Sequence, residues 1–525
     1  MNLKTTLLLS ILLSFPFTTM AQDGSLDTSF GVEGIVTTAV GAINSMDLSS
    51  GNAKSVAIQN DGKILVAGQS YNGLNYDFAV VRYNYNGSLD TTFGNNGKVI
   101  TDFGNDLPKS IAIQSDGKIV VAGVNFNGSS INFALVRYTT NGSLDTTFDI
   151  DGKVTTNYNG SDCHAYSLAL QSDGKMVLVG DARNGSGSQG FAAMRYNTDG
   201  SLDTTFGTNG KVFTLFGTPG ATSDSANSVA IQNDGKIVVA GTSFLYSESR
   251  SRFAALRYNA NGSLDTTFDN DGILTTNFGA FSDEGTSLAI QNDGKLVIGG
   301  NSSLAQHGTE IFAIVRFNID GSLDTTFDVD GKVTTLIGTF MNSLFSTIIQ
   351  GDGKILVAGY SISSNNLNNN AFTIVRYNID GSLDTSFDSD GIVNSILDST
   401  TYAGAYSLAL QNDGKIVAAG KLNNSFAVVR YNNPTLAINT FENQVVNISI
   451  APNPFSNQTS FQSNIPFKNT SLLVYNSIGQ LIKTINNING QQITFSRDNL
   501  PIGLYFAHLM QDNKNIYIQK LLIKE

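Results

Sequence analysis

Tryptophan is absent from the 525-residue chain and cysteine occurs once, as Cys163. A lone thiol excludes an internal disulfide framework and any cysteine-rich zinc site. Three histidines (His164, His307 and His508) leave little material for an imidazole-based metal centre. Eight prolines exclude a proline-rich linker and a collagen, whereas 52 glycines call for many tight turns. Charged residues make up 14% of the chain, too few for a disordered polyelectrolyte, and the 41% apolar fraction suffices for folded interiors. Basic residues are the scarcer sign, 31 against 43 acidic, for a net charge of −12. With no basic cluster either, nothing is available to neutralise a phosphate backbone, and no nucleic-acid partner is expected. Catalytic signatures are missing too: there is no Gly-x-Ser-x-Gly elbow, no P-loop and no His-Glu-x-x-His. Cys163 and His164 are neighbours, and adjacent side chains on a strand point to opposite faces, which argues against a nucleophile and base. No catalytic, cofactor-binding or metal-ligating residue is therefore expected.

Long apolar runs are lacking as well. No stretch reaches the ~20 residues that cross a bilayer, so no transmembrane segment is expected. Residues 1–21 read as a secretory signal: Lys4 supplies the positive start, Leu7–Leu13 the apolar stretch, and Thr19-Met20-Ala21 small residues before a cleavage at Gln22. A membrane anchor is the alternative, and the run is short for one. The mature chain is expected to be soluble and exported.

What the chain does have is repetition. Gly-Ser-Leu-Asp begins at Gly24, Gly87, Gly142, Gly200, Gly262, Gly321 and Gly381, at spacings of 55 to 63 residues. Each unit predicts four strands: a (Ser-x-Ala-Ile-Gln), b (Lys-Ile-x-Val-Ala-Gly), c (Phe-Ala-x-Val-Arg-Tyr) and d (the run after Leu-Asp-Thr-Thr-Phe). An Asp-Gly between a and b is a strong hairpin signal. Strands b and c are apolar on both faces, so both faces need cover. Seven such meanders predict an all-β fold, a seven-bladed β-propeller; an open β-solenoid is the runner-up, with coils that are normally shorter. The array starts with a d segment (Gly24–Thr38) and ends with a c strand (Phe426–Tyr431). That phase suits a ring closed by the N-terminal strand, which hides both edges.

Seven of the eleven arginines occupy one position in strand c: Arg82, Arg137, Arg195, Arg257, Arg316, Arg376 and Arg430. Seven aspartates follow Ser-Leu: Asp27, Asp90, Asp145, Asp203, Asp265, Asp324 and Asp384. A buried guanidinium needs a partner, so structural ion pairs between the two sets are expected; a ring of channel-lining arginines that binds anions is the alternative. Phe30, Phe93, Phe148, Phe206, Phe268, Phe327 and Phe387 read as packing anchors, and the turn lysines, such as Lys63 and Lys118, as solvated charges. Asp149/Asp151, Asp269/Asp271, Asp328/Asp330 and Asp388/Asp390 form Asp-x-Asp-Gly turns. Calcium is a possible cofactor there, but the later carboxylate such a loop needs is missing, and turn chemistry is the simpler reading. No other cofactor is expected.

The recurring Asp-Gly-Lys-Ile-x-Val-Ala-Gly, Val-Arg-Tyr-Asn and Gly-Ser-Leu-Asp-Thr-Thr-Phe resemble the delta-60 repeat family of bacterial exported proteins across residues 24–432. That resemblance implies no defined chemistry. After Asn432 the pattern stops: 433–443 reads as a linker and 444–525 as a small all-β domain. Ala451-Pro452-Asn453-Pro454-Phe455, Leu473–Gln480, Leu500–Phe506 and Lys520–Glu525 resemble the type A C-terminal sorting domain of the type IX secretion system of Bacteroidetes. Ala451 replaces the usual Tyr. The resemblance implies an immunoglobulin-like β-sandwich, engagement of the type IX secretion machinery as partner, and release or attachment at the outer cell surface. An ordinary immunoglobulin-like binding module is the alternative. The chain thus reads as signal 1–21, propeller 22–432, linker 433–443 and sorting domain 444–525.

In such a meander the a–b and c–d links share one face of the disc, and the b–c and d–a links share the other. The first set is nearly invariant, while the second diverges. Binding residues tend to lie on loops over a rigid scaffold, which makes Tyr71, Tyr76, Phe126, Arg183, Tyr246, Arg250, Arg252, His307 and Tyr360 the candidates for a ligand face, with a glycan or a protein as ligand. Three functions stay open: a non-enzymatic binding or adhesion scaffold at the cell surface, an extracellular hydrolase or lyase, and a structural surface-layer protein.

Overall fold

The computed structural model describes residues 22–42, 52–102, 104–279, 281–303, 308–363, 370–397, 402–433, 448–476, 480–511 and 514–525. The expected signal segment and residues 434–443 of the expected linker lie outside them, as does His307. The chain divides into two compact units between Ile438 and Asn439. All regular structure among the described residues is β.

In the first unit each repeat forms a four-stranded antiparallel blade. Blade 1 runs a (Ala53–Ile58), b (Ile64–Tyr71), c (Tyr76–Tyr83) and d (Lys98–Thr101) in that spatial order. The a–b turn closes because Gln59 exchanges hydrogen bonds with Gly62 and Lys63, with Gly62 at φ +81°, a conformation that costs glycine little. Strands b and c are buried along almost their whole length. Their two faces enter two different cores. Leu65, Ala67, Phe78 and Val80 pack on Ile111, Ile119 and Val121 of blade 2. Val66, Ala79 and Val81 pack on Val417, Ala419 and Val428 of blade 7. Blades 3 and 4 also share one parallel pairing, Gln189 with Ser223.

The a strands touch their neighbours around a complete circle, Ala53–Ile58 lying beside Ala403–Leu410, so strand a faces the axis. Blade 7 takes its a, b and c strands from Ala403–Leu410, Ile416–Leu422 and Ser425–Tyr431. Its d strand is Ile35–Ala39 from the other end of the chain, with Ile35 opposite Val429 and Ala39 opposite Ser425. Gly24 and Asp27 extend the splice by donating backbone bonds to Asn432 and Arg430. The unit is a seven-bladed β-propeller closed by an N-terminal strand.

The second unit has strands Ile448–Ala451, Gln458–Asn476, Leu481–Ser496, Gly503–Gln511 and Lys514–Ile523. The long Gln458–Asn476 strand pairs with Leu481–Ser496 along one edge, and with Ile448–Ala451 and then Gly503–Gln511 along the other. A parallel bridge from Phe455 to Ile523 curls the strands around Phe461, Leu472, Val474, Phe495 and Leu509, a small β-sandwich.

Candidate functional site

The two ends of the propeller strands are built on different plans. At the a–b and c–d end, each strand-c arginine meets the aspartate of its own c–d link. The Nε-to-carboxylate distances are 2.6–2.8 Å from Arg82–Asp90 round to Arg430–Asp27. Each guanidinium also lies 4.5–4.8 Å from the ring centre of the Thr-Thr-Phe or Thr-Ser-Phe phenylalanine, within cation–π range. Nη1 then crosses to the next blade, for example Arg82 to the Thr140 carbonyl and Arg430 to that of Tyr85. At the splice this acceptor changes: Arg376 bonds the Asn433 side chain and pairs with Asp23 at 2.8 Å. The arginines are buried between blades, so they do not form an anion-binding ring around the hole.

The turn lysines differ from the solvated charges expected. Six of them, Lys118, Lys175, Lys236, Lys295, Lys354 and Lys415, reach the buried aspartates at 2.5–3.1 Å, and Lys63 approaches Asp90 at 3.9 Å. The a–b turn and c–d link end side by side, which brings a flexible four-carbon stem within reach of the carboxylate. Burial by itself raises the Asp27 carboxyl, but hydrogen bonds from Lys415 and Ser29 and the Arg430 charge overcome it and hold the pKa at about 2. Asp145 has the same balance, with burial opposed by Thr147, Lys118 and Arg137, and the same result of about 2. A cleft of about 520 Å³ lined by Lys295, Arg316, Asp352, Lys354 and Asp380 is made of this structural network. The Asp-x-Asp-Gly segments are turns. Asp149, Asp269, Asp328 and Asp388 have positive φ, and Asp151 accepts from the Lys153 amide.

At the other end, strand a carries a β-bulge in every blade. The extra residue is Lys54, Lys109, Tyr166, Asn227, Thr286, Phe345 or Tyr406. Two invariant neighbours produce it. The first is the strand-b glycine opposite: a Cβ on Gly68, Gly123, Gly180, Gly241, Gly300, Gly359 or Gly420 would lie 1.7–2.2 Å from a carbonyl oxygen of strand a or, for Gly68, of the residue just before it, so only glycine admits the bulged backbone. The second is the serine that follows. Ser55 Oγ accepts from the Ile111 amide at 3.2 Å, Ser110 from Leu168 at 3.3 Å, and so on round to Ser407, which accepts from Val56 at 3.2 Å. A closed ring of seven bonds thus ties the inner strands together. The bulged residues are all half-buried, whereas the residue before each is buried.

This fixed scaffold presents a varied set of side chains to the axis. Lys54 Nζ lies 4.7 Å from the Tyr406 ring centre, and Lys109 Nζ 5.7 Å from that of Tyr166. Phe345 packs on Tyr406 at 5.1 Å and on Tyr360 at 5.8 Å, Tyr402 packs on Tyr360 at 5.7 Å, and Lys421 lies 5.5 Å from the Tyr402 ring. His164 Nδ1 is 2.9 Å from Asp181 Oδ1, Ser225 Oγ donates to the same carboxylate at 3.4 Å, and the Tyr166 ring lies 6.3 Å from that of His164. Burial, then Asp181, raises the Tyr166 pKa, and burial lowers that of Lys109. Cys163 lies in strand a and not in a loop; it is fully buried, and burial pushes its thiol up to about 11, so no thiolate is available at neutral pH.

Among the described sequence candidates the structure brings only Tyr71 and Tyr76 into contact. The Tyr71 and Tyr76 rings lie tilted with centres 5.3 Å apart, Tyr246 meets Phe244 edge-on at 5.4 Å, Arg250 lies 5.9 Å from the Phe281 ring centre, and Arg252 pairs with Glu248. Phe126 and Arg183 are exposed strand ends. Of the described candidates only Tyr360, on strand b, joins the cluster at the axis, because b–c hairpins connect the second and third strands from the centre and strand a is the innermost. The missed signal was the residue before the recurrent serine of Ser-x-Ala-Ile-Gln, a variable position inside an invariant motif. Elsewhere, carboxylate oxygens of Asp77, Asp102 and Asp106 lie within 4.8 Å of one another, with Asn72 donating to Asp77 and Asn125 to Asp106.

Family comparison agrees with this architecture. The sequence matches the domain of unknown function (DUF5122) beta-propeller at residues 59–93, 114–148, 171–206, 232–268, 291–327, 350–387 and 411–433. It matches the secretion system C-terminal sorting domain at 449–524. No curated protein matches it. Similar solved structures include PorZ, a surface component of the type-IX secretion system of Porphyromonas gingivalis, at 10% identity and TM-score 0.40, with 90% of this chain covered. The chain spans 59% of the length of that protein. Polysaccharide lyase Uly1 is similar at 11% identity and TM-score 0.43, covering 75% of this chain and 92% of the lyase. Drosophila Plexin A in complex with Semaphorin 1b is similar at 10% identity and TM-score 0.40, covering 78% and 88%. At these values none of them bears on what this chain binds. No helix among the described residues is long and apolar enough to cross a membrane. The chain is a seven-repeat DUF5122 β-propeller that ends in a type IX secretion sorting domain, which directs it to secretion and the cell surface.

Proposed function

We propose that this exported propeller is a non-enzymatic binding scaffold that holds its ligand at the mouth of the central channel, on the face of the b–c and d–a links. One observation carries the reading. The serine and glycine that build each bulge are constant, while the side chain the bulge presents changes from Lys to Tyr, Asn, Thr or Phe. A packing role would favour one residue in all seven blades. Convergent aromatic and polar groups on a rigid frame are what a ligand site requires. A second reading, an extracellular hydrolase or lyase, draws on the His164–Asp181 contact and on Tyr166, whose pKa is raised and whose ring lies 6.3 Å from that of His164 at the same mouth. Glycan and peptide arrays probed with the full secreted protein, alongside hydrolase and lyase assays on every array hit, separate the two. The scaffold reading expects capture without product, weakened by Tyr406→Ala and untouched by Tyr246→Ala. Ligand turnover that His164→Ala abolishes would replace it with the enzyme reading.

A further inference from the structure

The channel mouth has two unlike halves. Blades 6 and 7 supply four half-buried rings, Phe345 and Tyr360 from one and Tyr402 and Tyr406 from the other. In the order Tyr406, Phe345, Tyr360, Tyr402 their centres are 5.1–5.8 Å apart and their planes are tilted by 37–63°, which makes a curved floor and not a flat stack. Gly404 leaves room for it. Two residues before the bulge, every other blade has a side chain, such as His164 in blade 3 and Glu284 in blade 5. A Cβ on Gly404 would lie 3.3 Å from the Tyr360 side chain. Gly404 is not among the glycines at positive φ, so the backbone does not ask for glycine there; the ring does. Seven blades in a circle put blade 3 across from the boundary of blades 6 and 7, and there the groups are polar. With Nδ1 of His164 held by Asp181 at 2.9 Å and the imidazole 36% exposed, Nε2 is the ring atom left for a ligand. Glu284 is exposed in the same register, opposite Asn301 as His164 is opposite Asp181.

Charges of both signs interleave round this mouth, Lys54 and Lys109 on blades 1 and 2, Asp181 and Glu284 on blades 3 and 5. A charged ligand meets a like charge on one side or another, whereas a neutral ligand rich in hydroxyls finds donors and acceptors all round. Resting on the scaffold reading above, we infer that the ligand is an uncharged saccharide chain, with one sugar laid on the Tyr360, Tyr402 and Tyr406 floor and hydroxyls further along turned to His164 and Glu284. A pyranose has a face of C–H groups and a rim of hydroxyls, which suits an aromatic floor with polar groups around it. An extended peptide is served less well. It binds by adding to a strand edge, and here each inner strand is broken by its bulge, with the serine that follows bonded to the next blade.

The test titrates the full secreted protein with four probes: hexamers of a β-glucan, an α-glucan and a β-mannan, and hexagalacturonate. The chain has no tryptophan, so tyrosine fluorescence reports on the floor alongside calorimetry. At least one neutral hexamer is expected to change that fluorescence and to bind about 10-fold or more tighter than hexagalacturonate. Tyr402→Ala should lose about 10-fold or more of the affinity at an unchanged melting temperature, while Tyr402→Phe, which keeps the ring, stays within about 3-fold of the parent. Gly404→Asn removes no ring but crowds Tyr360, and should weaken binding as Tyr402→Ala does. Phe126→Ala, out on the rim, should bind like the parent. Hexagalacturonate binding as tightly as the best neutral hexamer, or Tyr402→Ala binding like the parent, overturns the inference. If no saccharide binds but a peptide array captures the protein and Tyr406→Ala weakens the capture, the saccharide assignment falls and the scaffold reading stands. Silence from all four hexamers and from both arrays removes both.

Discussion

The two ends of the same strands show what repetition does to chemistry. At the a–b and c–d end, seven copies of Arg, Asp and Phe make the same contacts seven times and six of the seven lysines join them, Lys63 turning to Asp61 instead; at the splice Asp23 and Asn433 replace a backbone carbonyl around Arg376. At the other end an equally invariant Gly and Ser hold open a position whose occupant is free to change. The first end uses polar residues to bind blades to each other, and the second uses them to display different groups. Burial explains the division. A guanidinium between blades must find its carboxylate or cost several kcal/mol, so every copy is held to one solution, whereas a half-buried side chain facing the axis is under no such demand.

That contrast can be broken in graded ways. The largest effect should come from a variant lacking residues 22–40. It leaves the edge of Ser425–Tyr431 unpaired and Arg430 without Asp27, and the propeller should lose more than about 5 kcal/mol or its cooperative transition altogether. A urea unfolding curve like that of the parent would show that closure is not structural. Acidification comes next, because it reaches the whole set of carboxylates. The folded-state pKa of Asp27 and Asp145 is about 2 against an ordinary 3.8. Their contribution is therefore complete above about pH 4 and is lost as pH falls toward 2. Melting temperature followed from pH 6 downward should stay level to about pH 4 and then drop, and a decline beginning above pH 5 would point to other groups.

Single substitutions sharpen the comparison further. Arg257→Met leaves Asp265 buried without its guanidinium and should cost about 3–5 kcal/mol in urea denaturation. Lys236→Met, on the same carboxylate but 29% exposed, should cost less than about 1 kcal/mol, and equal losses would contradict the assigned roles. Gly180→Ala, whose Cβ would lie 1.7 Å from the His164 carbonyl oxygen, should cost about 1–3 kcal/mol. The smallest change is expected from Lys109→Met, within about 1 kcal/mol, since the bulge it rides on is made by Ser110 and Gly123. A loss as large as that of Arg257→Met would move Lys109 into the structural network.

Blades, strand order and the closing strand were legible because each rests on local pattern: Asp-Gly turns, doubly apolar strands, and a d segment displaced to the start of the chain. The turn lysines were misread because a lysine beside a hairpin looks solvated until the link from another strand arrives at 2.5–3.1 Å. The candidate ligand face was drawn from the loops, and the loops turned out to be dispersed around the rim. Lys54, Lys109 and Tyr166 were hidden because a one-residue bulge does not interrupt the hydrophobic alternation enough to show in a single strand.

The amino-acid sequence alone settled the number of blades, their strands, the way the circle closes and the export tail, since these follow from recurrence and from the need to bury apolar faces. Which residues meet at the axis was decided only by the tertiary structure. Side chains some 60 residues apart become neighbours there because seven inner strands converge on one line, and the pressure of each strand-a backbone on a glycine turns one side chain per blade toward it.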